Sequence, residues 1–283
     1  MRFKKIYLEI SNVCNLSCSF CHKTKRKPRI MNYDEFKSVL PKLRKYTDYL
    51  YFHLMGEPLC HPDLARFLEH AGELGFKVII TTNGVLLGDK KDILFSSAAL
   101  HKINVSLHAF EANDLSIPFD KYIDNTLSFV KEFSESTGKI VVLRLWNNGG
   151  EDKLNSDILS RVSRHFGDIN DKARDRRGSL KLTDRVFLEH GNKFDWPDMS
   201  ADDFGEEVFC YALRDQLGIL CDGTVVPCCL DSDGVLSLGN IFESDLEAIL
   251  SSSRAKAIYD GFSNRYAAEP MCRRCGYAKR FSK

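Results

Sequence analysis

The sequence predicts an α/β fold: a mainly parallel sheet covered by crossover helices, followed by a small metal-stapled C-terminal region. Short apolar runs alternate with helical periodicity through the first two-thirds of the chain, and one βαβ unit is marked at both ends of its helix. The third observation is that ten cysteines gather toward the two ends of the 283 residues.

The apolar runs place strands at Ile6–Ile10, Tyr49–Leu54, Lys77–Thr81, Lys102–Leu107 and Ile140–Leu145. Between the second and third, "HPDLARFLEHAGELG" puts Pro62 at a helix start, sets Leu64, Phe67, Leu68, Ala71 and Leu74 on one face, and stops at Gly75. A sixth strand is expected at Val186–His190, whereas Arg164–Leu182 is polar and has no clear assignment. "NNGGEDKLNS" reads as a connection rather than a linker. From Cys210 the pattern changes. "GILCDGTVVPCC" sets Asp222-Gly223 between two apolar segments, a hairpin signal, and helical stretches then lead to a Cys-x-x-Cys.

Composition bounds the function. With 43% hydrophobic and 28% charged residues and a formal net charge of +1, the chain reads as an ordinary soluble protein, and bulk electrostatic capture of nucleic acid is not expected. No apolar run approaches the roughly 20 residues of a membrane span. Glu9 interrupts "MRFKKIYLEI" too early for a signal peptide. The expected location is the cytoplasm, where metal or redox roles suit cysteines better than disulfides. Cys14, Cys18, Cys21 and Cys60 form one group, and Cys210, Cys221, Cys228, Cys229, Cys272 and Cys275 the other, which implies two metal sites.

"CNLSCSFC" spaces three cysteines as C-x3-C-x2-C just after the first strand. Three such thiolates can hold three irons of a four-iron, four-sulfur (4Fe-4S) cluster and leave the fourth open. An open iron can chelate the amino and carboxylate groups of S-adenosylmethionine, whose sulfonium then accepts an electron and yields a 5′-deoxyadenosyl radical. Zinc with His22 as fourth ligand is the alternative, although structural zinc more often uses paired Cys-x-x-Cys units. Three inert buried thiols so close in sequence would be unusual.

At this point the sequence resembles the radical S-adenosylmethionine superfamily. "CNLSCSFC" is similar to the family's cysteine motif, which implies cluster ligation by Cys14, Cys18 and Cys21 and places Phe20 where the backbone approaches adenine. "MGEPL" resembles its Gly-Gly-Glu motif, with Met55 in place of the first glycine and Gly56 and Glu57 following. "TTNG" resembles the ribose-contacting turn and implicates Thr82 and Asn83. Ser106 and Arg144 stand at strand ends where relatives hold the methionyl carboxylate. Singly, each would be an ordinary strand-end or turn residue; the ordered series is what carries the resemblance. It implies an open (βα)6 partial TIM barrel over 1–205.

Residues 206–283 resemble the SPASM family's auxiliary-cluster region in its shortened "twitch" form. Cys210-x12-Gly223-x4-Cys228 matches its opening, and Cys272 and Cys275 would close an auxiliary 4Fe-4S site. Structural zinc would suit four thiolates equally well. Adjacent strand residues point to opposite faces, so Cys229 is not expected to ligate beside Cys228. Cys221 lies by the hairpin turn and could replace a ligand, and Cys60 is expected to pack beside the first site.

His22–Arg29 carries five Lys or Arg residues. Such a run is usually a solvated loop; next to the first cluster it also suggests a dock for an acidic flavodoxin-type electron donor. Substrate-facing candidates are His53, His108, Trp146, Asn147, Glu189 and Trp196, each of which ordinary packing would explain equally well. Trp146 could stack on a planar substrate. The expected activity is radical abstraction of hydrogen from a small polar substrate. The readings are C–N cleavage of queuine, a 7-deazapurine, by a queuine lyase; an aminocyclitol-type alcohol dehydrogenase; and a peptide-modifying maturase, which no extra segment before Ile6 supports. A zinc-stapled nucleic-acid-binding protein is the reading of another class, and it leaves Gly56, Asn83 and Arg144 unexplained.

Overall fold

Hydrophobic periodicity fixes the order of elements in the computed structural model, whose described residues are 2–176 and 178–281. Strand β1 (Lys5–Leu8) leads through a long loop to α1 (Tyr33–Leu43), then β2 (Tyr49–Tyr51), α2 (Leu64–Glu73) and β3 (Lys77–Thr82). Next come α3 (Lys91–Ser96), β4 (Leu100–Ser106), α4 (Phe119–Thr137), β5 (Ile140–Asn148) and α5 (Asn155–Phe166). After β6 (Leu180–Lys181) and β7 (Val186–Asn192) follow β8 (Gln216–Ile219), β9 (Thr224–Val226), β10 (Gly239–Asn240), α6 (Leu246–Leu250), α7 (Ser253–Ser263) and α8 (Pro270–Arg273). Helix α1 begins at a capping box in which Asn32 and Glu35 satisfy each other's backbone N–H. In α2 the expected face, Leu64, Phe67, Leu68 and Ala71, is buried, and Gly75 follows at φ +75°.

The sheet order is β10-β9-β8-β1-β2-β3-β4-β5-β7-β6. β1 to β5 and β7 pair in parallel, and β6 adds an antiparallel edge to β7. The two ends of this order do not pair with each other, so the barrel is open. The hairpin across Asp222-Gly223 is present as β8 and β9. One feature went unanticipated: β8 runs parallel to β1, Lys5 opposite Gln216 through Leu8 opposite Ile219, so the cysteine-rich C-terminal region continues the same sheet. Two expected strands end early, at Leu8 and Tyr51, and the loops that begin there build the site. The segment without assignment holds the end of α5, a short 3-10 turn at Ile169–Asp171 and β6.

Strand alternation gives the sheet two unlike faces. Ile6, Leu8, Leu50, Phe52, Val78, Ile80, Ile103, Val105, Leu143 and Leu188 join the core between sheet and helices, where each buried side chain contributes about 1.5–3 kcal/mol. The alternate positions, among them Tyr7, Tyr51, Thr81, Asn104, Arg144 and Glu189, face the concave inner side. That side is polar, and the loops at the carboxyl ends of the strands close over it. Among the described residues no helix is long and apolar enough to cross a membrane.

Candidate cluster and cofactor site

The three-cysteine loop leaves β1 and is anchored by side-chain hydrogen bonds. Asn113 donates from Nδ2 to Cys18 Sγ at 3.0 Å and to the Ala109 carbonyl at 2.7 Å, and its Oδ1 accepts from Ser17 N at 2.9 Å. Asn83 Nδ2 donates to Asn15 Oδ1 at 2.8 Å and lies 4.0 Å from Cys14 Sγ. Cys14 reaches the surface, while Cys18 and Cys21 are half-buried. Burial pushes the Cys18 thiol up, and the Asn113 N–H opposes that by favouring the thiolate. Burial raises the Cys14 thiol to about 11, with Cys60 a minor further cause, and Cys60 accepts from Asn15 N–H, which places it beside this loop. His22 stacks on Trp196, ring centres 5.8 Å apart.

Gly56 and Glu57 lock that loop to the sheet. A Cβ on Gly56, whose φ is +75°, would lie 2.4 Å from the Ser11 carbonyl oxygen and 2.9 Å from that of Val13, so only glycine permits the approach. Glu57 is buried. Its carboxylate accepts from Leu59 N at 3.1 Å and from Asn83 N at 2.8 Å, tying the loop after β2 to the turn after β3. Burial raises its pKa to about 7 against those hydrogen bonds. Thr82 Oγ1 accepts from Gly84 N at 3.1 Å, and the Asn83 carbonyl accepts from Tyr122 Oη at 2.7 Å. The motif residues therefore brace one another at three strand ends.

Ser106 and Arg144 are register partners on β4 and β5, and Arg144 pairs in turn with Glu189. Arg144 Nε lies 3.4 Å from Glu189 Oε2, and its guanidinium sits 4.5 Å from the centre of the Trp146 ring. Trp146, Asn147 and Trp196 line a cavity of about 170 Å³ together with Phe20, Glu151 and Phe194. Asn147 is committed to the protein, donating to the Glu151 carbonyl and exchanging hydrogen bonds with Asn155. His108 is buried, bonds through Nδ1 to the Arg144 carbonyl at 3.1 Å, and packs on Phe20 with ring centres 4.9 Å apart. Burial lowers its pKa to about 4, so it stays neutral and positions Phe20 and β5. His53 lies on the inner face, edge-on to Tyr7 at 5.3 Å. Burial first, then the charges of Arg144, Lys102 and Lys5, lower its pKa to about 3.

Cys210, Cys228, Cys272 and Cys275 line one cavity at the other end of the inner face. Burial is the leading cause that raises all four thiols, Cys210 to about 11. Neighbouring thiolates add to it: Cys210 is raised by Cys275 and Cys229, Cys228 by Cys229, Cys210 and Cys272, and Cys272 by Cys210 and Cys275. Buried sulfurs that repel one another as anions fit a site for a cationic metal group. Among the described residues no three His, Cys, Asp or Glu converge on a single ion, as a zinc at about 2.3 Å from each sulfur requires. Cys229 also borders the cavity, but it shares a hydrogen bond with Tyr7 and packs in a separate apolar cluster. Cys221 is wholly buried away from the cavity, 3.6 Å from Arg26 Nη1.

The charged run needs a correction. Arg26 does not face solvent: it pairs with the fully buried Glu9 at 2.7 and 2.8 Å, and its Nε donates to the Ser232 carbonyl. Burial alone would lower the Arg26 pKa, but the charge and hydrogen bonds of Glu9 outweigh it and hold it above the usual value. Glu9 also accepts from Met55 N and Cys221 N. Arg29 pairs with Glu35 and donates to the Cys221 carbonyl. The two arginines are tethers between the first loop and the C-terminal region, and Lys23, Lys25 and Lys27 are the exposed charges. No sequence pattern announced Glu9 or Asn113, because their partners are remote in the chain.

Residues 8–152 match the family described as the Radical SAM superfamily, and residues 210–276 match SPASM, an iron-sulfur cluster-binding domain. A tungsten-containing aldehyde ferredoxin oxidoreductase cofactor-modifying protein from Pyrococcus furiosus is 36% identical over 91 residues, 31% of this chain and 26% of that protein. A protein named Probable GTP 3′,8-cyclase from Methanococcus maripaludis is 32% identical over 108 residues, 37% of this chain and 36% of its own length. The matched stretch thus spans between 26% and 36% of these relatives. The crystal structure of BtrN with AdoMet and 2-DOIA aligns over 97% of this chain and 94% of that one, with a TM-score of 0.60 and 18% identity. Streptococcus suis SuiB bound to the precursor peptide SuiA aligns over 98% and 70%, with a TM-score of 0.60 and 19% identity. Native anSMEcpe with bound AdoMet aligns over 99% and 91%, with a TM-score of 0.61 and 14% identity.

Proposed function

This chain belongs to the radical S-adenosylmethionine superfamily, and from that membership we propose that it reductively cleaves S-adenosylmethionine and abstracts hydrogen from a small polar substrate. The observation that carries the reading is the three-cysteine loop, braced by Gly56, Glu57 and Asn83 over a polar inner face. In this proposal Cys14, Cys18 and Cys21 hold the first 4Fe-4S cluster, and Cys210, Cys228, Cys272 and Cys275 hold the auxiliary one. Bound there, the first cluster would supply the single electron that cleaves S-adenosylmethionine and so starts hydrogen abstraction from the substrate.

The protein's part is placement. Phe20, held by His108, offers backbone and ring to adenine. The backbone of Gly56 and Glu57 meets the amino group, the turn at Thr82 and Asn83 meets the ribose, and Ser106 and Arg144 meet the carboxylate. Lys23, Lys25 and Lys27 present a basic edge beside the loop to a flavodoxin-type donor. The specific activity we propose is radical C–N cleavage of queuine, releasing a 7-deazaguanine base, with the aromatic cavity at Trp146 and Trp196 suited to a planar group. An aminocyclitol dehydrogenase is the second reading, supported by the near full-length alignment with BtrN.

The test uses anaerobically cluster-loaded protein with dithionite, offered queuine, an aminocyclitol or a short peptide, with 5′-deoxyadenosine and product measured together. A small polar molecule should raise 5′-deoxyadenosine above the substrate-free rate. Formation that depends on the peptide alone overturns the choice of substrate class.

A further inference from the structure

Three buried side-chain atoms lack a hydrogen-bond partner among the described residues: His53 Nδ1, Asn104 Oδ1 and Arg144 Nε. All three lie on the concave side of the sheet. Their chain neighbours Phe52, Ile103, Val105, Leu143 and Leu145 are packed in the core between sheet and helices, so alternation turns His53, Asn104 and Arg144 to the concave side. Asn104 is wholly buried and stands opposite Thr81 on one side and Val142 on the other. Its Nδ2 donates to Thr81 Oγ1 at 3.0 Å, which leaves the buried carboxamide oxygen without a donor. Arg144 Nε has Glu189 Oε2 at 3.4 Å but no hydrogen bond.

An unpaired buried polar atom costs about 1–3 kcal/mol, and native folds pair nearly all of them. Three such atoms on one face of the sheet call for an explanation. We propose that His53, Asn104 and Arg144 form the substrate-recognition site, and that it takes the uncharged lactam edge of a nitrogen heterocycle. The ring N–H would donate to Asn104 Oδ1, and the adjoining carbonyl oxygen would accept from Arg144 Nε. A guanidinium carries five N–H donors, so this contact leaves others for the carboxylate of S-adenosylmethionine. Charge selects the class further. The charges of Arg144, Lys102 and Lys5 act on His53, and Glu189 stands beside Arg144, so an ammonium-bearing cyclitol meets positive charge where a lactam meets donors and acceptors. His53, kept neutral by the same surroundings, adds one hydrogen-bonding nitrogen rather than a further charge. A site built around such groups discriminates strongly against analogues that cannot pair with them.

This assignment rests on the proposed radical chemistry only for the word substrate, and the experiment separates the two. Anaerobic, cluster-loaded protein with S-adenosylmethionine is titrated with 7-deazaguanine and, separately, 2-deoxystreptamine by calorimetry. The wild type should bind 7-deazaguanine, Asn104→Leu should weaken binding roughly 10- to 100-fold, and Asn104→Asp, which keeps the acceptor oxygen, should recover most of it. Iron content and thermal midpoint report whether Asn104→Leu has folded. If it has not, His53→Phe takes its place with an expected loss of about tenfold. Absence of saturable 7-deazaguanine binding, equal binding by the leucine variant, or preference for 2-deoxystreptamine overturns the assignment. Wild-type protein that binds the lactam yet forms no 5′-deoxyadenosine with dithionite overturns the proposed chemistry and leaves the recognition site standing.

Discussion

The two cysteine regions are built by opposite means. The N-terminal thiols sit on a loop, with Cys14 at the surface, and are positioned by amide hydrogen bonds from Asn83 and Asn113. The C-terminal thiols are sunk in a cavity walled by Val208, Leu236, Phe262 and Met271, on elements that continue the sheet through β8. A loop with a surface-facing sulfur can accept a further ligand at its metal site. A pocket walled largely by apolar side chains favours a site filled by its own thiolates. On the proposed reading, the first group is arranged for exchange with a cofactor and the second for permanence.

The sharpest way to break that contrast is to remove one thiol from each group. Cys18→Ala should abolish 5′-deoxyadenosine formation and reduce iron from about eight to about four atoms per chain, one 4Fe-4S cluster being lost. Cys272→Ala should lose a similar amount of iron but lower the thermal midpoint by clearly more than Cys18→Ala does, because metal binding in a buried pocket is coupled to folding. Equal midpoints for the two variants, read by calorimetry under anaerobic conditions, would erase the distinction.

A smaller effect separates tether from dock within the charged run. Arg26→Gln leaves Glu9 as a buried carboxylate without its ion pair, a loss of roughly 3–5 kcal/mol of stability, to be read by denaturant unfolding. Lys25→Gln removes an exposed charge and should leave stability within about 0.5 kcal/mol. It should nevertheless slow flavodoxin-driven reduction and flatten its salt dependence. If Arg26→Gln is as mild as Lys25→Gln, the buried pair does not join the two regions.

What the sequence made legible was local. Alternating apolar runs marked β1 to β5 and β7, the Asp222-Gly223 pair marked the hairpin, and the spacing of Cys14, Cys18 and Cys21 singled out one loop, because each signal lies within a few residues. The rest depended on residues brought together by the fold. The pairing of β1 with β8 leaves no periodic trace, since a short buried strand reads alike wherever it pairs. Arg26 looked like one charge among five because its partner Glu9 lies before the cysteines, where it read as a strand residue. Asn104, inside a run of β-branched neighbours, carried no motif, and only its burial and its idle oxygen single it out.

The finest comparison concerns the sulfurs themselves. Asn113 gives Cys18 an N–H···S bond, whereas Cys228 and Cys272 have mainly apolar neighbours and other thiols around them. A donor to a cluster-bound thiolate stabilises the more negative, reduced state and so raises the potential. Asn113→Leu keeps the side chain's bulk but removes that donor. A net loss of about 1 kcal/mol for the bond corresponds to roughly 40 mV for one electron, so the first cluster's midpoint should become more negative by about that much in a redox titration followed by electron paramagnetic resonance. The auxiliary cluster, which Asn113 does not touch, serves as the internal reference and should stay in place. A parallel shift of both midpoints would mean that the substitution disturbs the fold as a whole. No shift in either would mean that Asn113 only anchors Ser17 and the loop, through Oδ1 rather than through sulfur.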